Sequence, residues 1–270
     1  MDIPAEPPRG FFDEFARPRR DVWQRIAVAV IEMAESGHST RLELKDLLAR
    51  RLDLEPGNSS LDDLLGRYLP HYELAESEVH HSVGKGRELG IIRLTDKGKR
   101  LAVSLGVHPV ESDWERLIRL HQAETQKAHA VLVLRFVALV RLWGGRAWVM
   151  PEVDADHFAP DVLIQYDSPP PYSTWAYVEV EGEYHKHRKW SNQARYQGFT
   201  AFCAKTPTSR HALKWECHAA DAPGMGTDLE TLIQLNRRGE TKPLWQENWS
   251  HMGYTACAKA AVSKRKPLFE

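Results

Sequence analysis

The chain has 270 residues, a net charge of −1 and 27% charged residues, enough for two domains, and its bulk charge favours neither nucleic acid nor any other partner. No G-x-x-x-x-G-K-[ST], G-x-G-x-x-G or G-x-S-x-G segment occurs, which removes support for P-loop ATP hydrolysis, dinucleotide binding and serine hydrolysis. Cys203, Cys217 and Cys257 form no C-x-x-C pair and leave one thiol over in any disulfide scheme, and no apolar run reaches the length of a membrane span, so a cytoplasmic protein with no membrane contact is expected.

Residues 1–20, with Pro4, Pro7, Pro8 and Pro18, read as a flexible arm. Val22, Ile26, Ala29, Val30 and Met33 recur at helical spacing from Asp21 and stop at Gly37; Ser39 or Thr40 then caps a second helix ending near Arg51. Pro56-Gly57-Asn58 makes a turn before a short helix over 61–69. A further helix is expected over 75–89, although Gly84 and Gly86 weaken it, followed by a short strand and a Thr95-Asp96-Lys97-Gly98 turn.

This order resembles the winged helix-turn-helix, and the resemblance implies that the helix before the strand is presented to DNA. His80, His81, Lys85 and Arg87 would then face the groove, with Arg93 and Lys97 near phosphates; Lys and Arg exceed Asp and Glu by two over residues 76–100. A scaffold for protein contacts is the alternative.

Residues 111–113 look like a joint between domains over 21–112 and 113–218, leaving 219–270 as an extension with one helix, 228–238. Residues 114–142 form an apolar helical region of the kind buried against a sheet. Strands follow over 147–150, 160–166 and 175–181, then a helix over 184–199 and a strand over 200–205: an α/β core with helices on both faces.

Within that core, Asp161 stands at the mouth of one strand. Glu179 and Glu181 share one face of the next, because side chains alternate along a strand while Val178 and Val180 point to the core. Converging carboxylates suit Mg²⁺, a hard ion that takes oxygen ligands and is usually shared with phosphate; a solvated strand face is the plainer alternative. Glu124 or Glu152 is a candidate fourth carboxylate. Over 182–214, seven Lys or Arg, among them Lys186, Arg188, Lys189 and Arg195, stand against Glu183 alone, and Trp190 and Tyr196 are interleaved, a composition suited to phosphates and bases. Cys203, His211, Cys217 and His218 fit no usual zinc spacing.

Pro160-Asp161 and Glu179-Val180-Glu181, in this order of elements, resemble the PD-(D/E)xK, or restriction-endonuclease-like, fold. The resemblance implies that Asp161 and Glu179 hold the metal and that a lysine two positions on assists the attacking water. Glu181 occupies that lysine slot. The superfamily implies two replacements: Glu181 itself, or Lys186 or Lys189 reaching back from the following helix. Taken whole, winged helix plus this core is similar to the replication-relaxation family of plasmids and mobile elements, on His129, Pro160-Asp161, Glu179-Val180-Glu181, Lys189 through Tyr196, and Thr206-Pro207 with Arg210. That likeness implies a DNA-binding protein acting in replication, relaxation or transfer, with protein partners in that machinery and a nuclease-like domain that grips DNA without cutting it. An active Mg²⁺-dependent endonuclease and a transcription regulator are the alternatives.

Overall fold

The computed structural model describes residues 3–81, 88–120, 124–153, 158–168, 174–181, 187–218, 222–240 and 243–249. Of the residues singled out above, Gly84, Lys85, Gly86, Arg87, Glu183, Lys186, Cys257 and the side chains of Glu124, Arg188 and His218 lie outside these. The chain is mixed α/β and divides into two compact units, with the boundary after Gln122. No helix among the described residues is long and apolar enough to cross a membrane.

In the first unit α1 (Arg20–Ser36) buries Trp23, Ile26 and Val30 and ends where Gly37 takes φ 66° and donates its amide to Met33. Thr40 caps α2 (Arg41–Arg51) by accepting from the Glu43 amide at 3.2 Å, while its hydroxyl donates to the Glu43 carboxylate. The third helical stretch runs from α3 (Ser59–Asp63) through one wide turn over Leu64–Tyr68 into α4 (Leu69–His71), burying Leu61, Leu64, Leu65 and Leu69.

The helix expected over 75–89 is not what forms. Strands β1 (Ala75–His81) and β2 (Glu88–Leu94) make an antiparallel hairpin, with Ala75 opposite Leu94 and His81 opposite Glu88. Ala and Glu at 75, 76 and 78 favour a helix locally, yet Leu89, Ile91 and Ile92 bury on the hairpin. Ile91 also bridges to Thr40, and the Ile92 amide donates to the Ser39 carbonyl at 2.9 Å. Tertiary pairing overrides the weak helical propensity. The hairpin leads into α5 (Asp96–Ser104), capped by Thr95, and the unit closes with α6 (Asp113–Leu120).

Residues 3–19 are also not a free arm. Phe12 is buried edge-on against Trp23 and Tyr72, and Trp23 donates its indole N–H to the Pro4 carbonyl at 2.8 Å. Prolines abolish periodicity there without preventing Phe12 and Phe15 from anchoring the segment.

Among the described residues the second unit holds a six-stranded sheet of order β3-β4-β5-β6-β7-β8: β3 (Arg146–Val149), β4 (Val162–Gln165), β5 (Trp175–Glu181), β6 (Thr200–Ala204), β7 (Gly224–Asp228) and β8 (Glu247–Trp249). β5, β6 and β7 are parallel, joined through α8 (His187–Gln197) and α9 (Pro207–His218), whereas both outer pairings, β3-β4-β5 and β7-β8, are antiparallel. The long α7 (Glu124–Leu142) runs along β3, β4 and β5, and α10 (Leu229–Arg237) packs on α7 and β7. α8 and α9 pack on β5, β6 and β7. The sheet thus continues past residue 218 through β7 and β8, which the sequence had left as an extension.

Candidate functional site: carboxylates around a helix-borne lysine

β5 alternates as the sequence predicts. Ala176, Val178 and Val180 are buried apolar residues, and Trp175, Tyr177, Glu179 and Glu181 take the opposite face. Val178 pairs with Val162, which brings Asp161, just before β4, beside the middle of β5. There the Asp161 Oδ2 accepts the Val180 amide at 2.8 Å and its Oδ1 accepts from His129 Nε2 of α7 at 3.0 Å. A carboxylate can only accept, so the proton is on Nε2.

α8 completes the site. Lys189, Gln193 and Gln197 are spaced by four and form one stripe of the helix. Gln193 donates to the carbonyls of Tyr177 at 2.9 Å and Ala201 at 2.8 Å and accepts the Ala201 amide at 3.0 Å, tying neighbouring strands to the helix. Gln197 brackets Tyr177, accepting its amide at 2.9 Å and donating to its carbonyl at 3.0 Å. Held this way, the Lys189 Nζ lies 2.5 Å from Glu179 Oε2, 2.7 Å from Glu181 Oε1 and 3.7 Å from Asp161 Oδ2. Sequence reasoning passed over the two glutamines; the i, i+4, i+8 polar stripe was the signal.

The electrostatics follow from burial and this one cation. Burial alone would lift the Asp161 carboxyl, but Lys189, His129 and the Val180 amide hold it well below the usual carboxylate range. Glu179 moves the other way: full burial and the neighbouring Asp161 charge push it well up against the pull of Lys189. Burial would lower Lys189, and the attraction of Asp161, Glu179 and Glu181 outweighs it, keeping the ammonium charged. Burial opposes protonation of His129 as well, and its bond to Asp161 raises it past its ordinary value.

Glu179 is the exception to good pairing. Its Oε2 touches the ammonium as an ion pair, yet neither of its oxygens has a hydrogen bond of good geometry, although both are buried. A buried carboxylate whose main partner is a single ammonium has the oxygen chemistry that a hard divalent ion accepts. Among the described residues no cluster of three or more His, Cys, Asp or Glu side chains is preassembled for a metal; Asp161, Glu179 and Glu181 gather on Lys189 instead. Glu152 is exposed beyond β3.

The residues expected at DNA are dispersed. Arg195 is exposed on α8, whereas Lys189 is turned inward to the carboxylates. In the first unit His80 and His81 stand on β1 rather than on a helix. The His80 Nε2 lies 2.9 Å from the Glu78 carboxylate and its ring is tilted against Trp114, Arg93 pairs with Glu76 at 2.9 Å, and Lys97 sits over the Phe15 ring and 3.6 Å from Glu73. Cys203 and Cys217 are both buried; Cys203 lies on β6 and Cys217 in the small core beside Trp190 and Phe202.

Comparison of the chain with protein-family models, with curated proteins and with solved structures finds no match.

Proposed function

We propose that this is a DNA-binding protein of a plasmid or other mobile element, acting in replication, relaxation or transfer, whose second unit hydrolyses phosphodiesters with a divalent ion. The observation that carries the reading is Lys189. Its ammonium, carried on α8, lies within ion-pair reach of Glu179 and Glu181, so a cation stands at the carboxylates although Glu181 takes the usual lysine slot, which supports the reading.

Asp161 and Glu179 would hold Mg²⁺. Bound there, the ion supplies Lewis-acid polarisation of a phosphoryl oxygen and a more acidic water. Lys189, kept protonated by three carboxylates, cannot act as a base; its role is to stabilise negative charge developing on the phosphate. The His129 Nε2–H and the Val180 amide fix the Asp161 carboxylate from both oxygens.

In the first unit, the order helix, short bridge at Thr40, helix, helix, hairpin supports a winged helix. The element offered to DNA in that arrangement is the third helical stretch, where Arg67 and His71 are exposed, and the hairpin is the wing.

Purified protein incubated with supercoiled plasmid in Mg²⁺ or Mn²⁺ tests the reading. Nicking by the wild type, reduced about 10²-fold or more in D161A, E179A and K189A, is the expected result. Tight, metal-independent DNA binding without cutting would overturn the hydrolytic part and leave the second reading, a nuclease-like domain that only grips DNA. That second reading is favoured by the departure at Glu181 and by the neutralisation of Lys189 within the site.

A further inference from the structure

The sheet face that carries Glu179 and Glu181 continues past the carboxylates. Along β5, Trp175 and Tyr177 lie on that face, and strand register sets Tyr177 beside Leu163, Trp175 beside Gln165, and Trp148 of β3 beside Leu163. Trp148 and Trp175 therefore share the face of the carboxylate and lysine site. Their rings stack over β4, with centroids 5.6 Å apart and planes within 15°. They remain 40% and 45% exposed.

Large planar rings kept in water on a sheet are unusual unless something stacks on them, because each could bury a large apolar area elsewhere. Four residues of strand, about 13 Å, separate Trp175 from Glu179. Tyr177 lies between, edge-on to Tyr196, which is 41% exposed on α8. Arg146 stands two residues before Trp148 on the same face. It is exposed, and no carboxylate among the described residues pairs with it. Planar rings, a guanidinium unpaired among the described residues and the carboxylates with their lysine thus belong to one face of the sheet.

Bases in intact duplex are stacked on one another and offer no free face, whereas unpaired bases stack on aromatic side chains with little regard to sequence. From this continuity we infer that the Trp148–Trp175 platform binds unpaired nucleotides beside the phosphodiester held at Lys189, so that the substrate is single-stranded or locally melted DNA. The inference rests on the DNA reading above and narrows it to a substrate class.

Fluorescence anisotropy of the full-length protein in EDTA, with a labelled single-stranded oligonucleotide and a hairpin duplex of the same sequence, gives the test. The wild type should bind the single strand more tightly than the duplex. W148A and W175A should each weaken single-strand binding by about fivefold or more, with duplex binding changed by less than about twofold and W148F recovering most of the loss. Unchanged circular dichroism and melting would exclude misfolding, and sedimentation velocity would follow association. Single-strand affinity unchanged in both alanine variants overturns the inference, as does a loss shared equally by duplex. A change of association state in the variants also overturns it and assigns the platform to a second copy of the chain. If the wild type still binds or nicks duplex in those cases, the DNA reading stands without this extension. If it binds neither form, both fall.

Discussion

Lys189 and Glu179 show how far a single side chain could be read from the chain alone. The alternation of β5 made Glu179 and Glu181 legible as partners, and a lysine in the next helix was a reasonable substitute. The sequence put Lys189 forward for that role; what it could not show is how the lysine is held there, because that depends on which helix face Gln193 and Gln197 hold to the sheet. The two main carboxylates make opposite predictions with pH. Glu179, raised in the fold, contributes stability that is full below its unfolded value of about 4.3 and is lost as pH climbs through the folded value. E179Q should therefore melt higher than the wild type in EDTA, by about 2–4 °C at pH 8 if ~1 kcal/mol is involved, with the gap closing toward pH 4. Asp161, held low, contributes stability above its unfolded value of about 3.9 that is lost as pH falls through the folded value. D161N should melt below the wild type at pH 7 and approach it in acid; calorimetry from pH 3 to 8 would expose any variant that fails to diverge in this way.

Elements whose pattern is set by neighbours in sequence were legible, and those set by distant pairing were not. Helices α1 and α2 and strands β3 to β6 follow from periodicity and caps. The β1-β2 hairpin did not, since its residues accept a helix locally and are committed to strand by Ser39, Thr40 and the buried Ile91 and Ile92. Distant pairing also sets β7, β8 and α9, which join α10, the helix expected over 228–238. Asp228 is fully buried, caps α10 through the Thr231 amide at 2.8 Å and is ion-paired to Arg210 of α9, which also reaches Gln246 and Glu247 at the start of β8. Removing the guanidinium strands a buried carboxylate, so R210A should lose about 3–5 kcal/mol in urea unfolding. A loss below ~1 kcal/mol would mean that Asp228 is satisfied by its cap alone.

At the scale of the whole chain, a net charge of −1 means that any affinity for DNA must come from local clusters rather than from the molecule's field. Affinity should fall steeply and linearly with log salt concentration, and R195A should reduce that slope by about 1. A flat response would point to a protein partner. Two units could be expected from length, and the joint expected at 111–113 falls one helix early: Trp114, Leu117 and Leu120 give α6 a helical spacing that reads as continuous with α7, whereas the boundary after Gln122 depends on contacts made across the chain. Among the described residues, the sheet of the second unit is bounded by strands of only four and three residues, β3 and β8. Edges this short offer little template for the strand of another molecule, and a guanidinium stands at the start of β3. The protein can therefore keep stacked tryptophans at the margin of a sheet while resisting the edge-to-edge polymerisation that apolar margins invite.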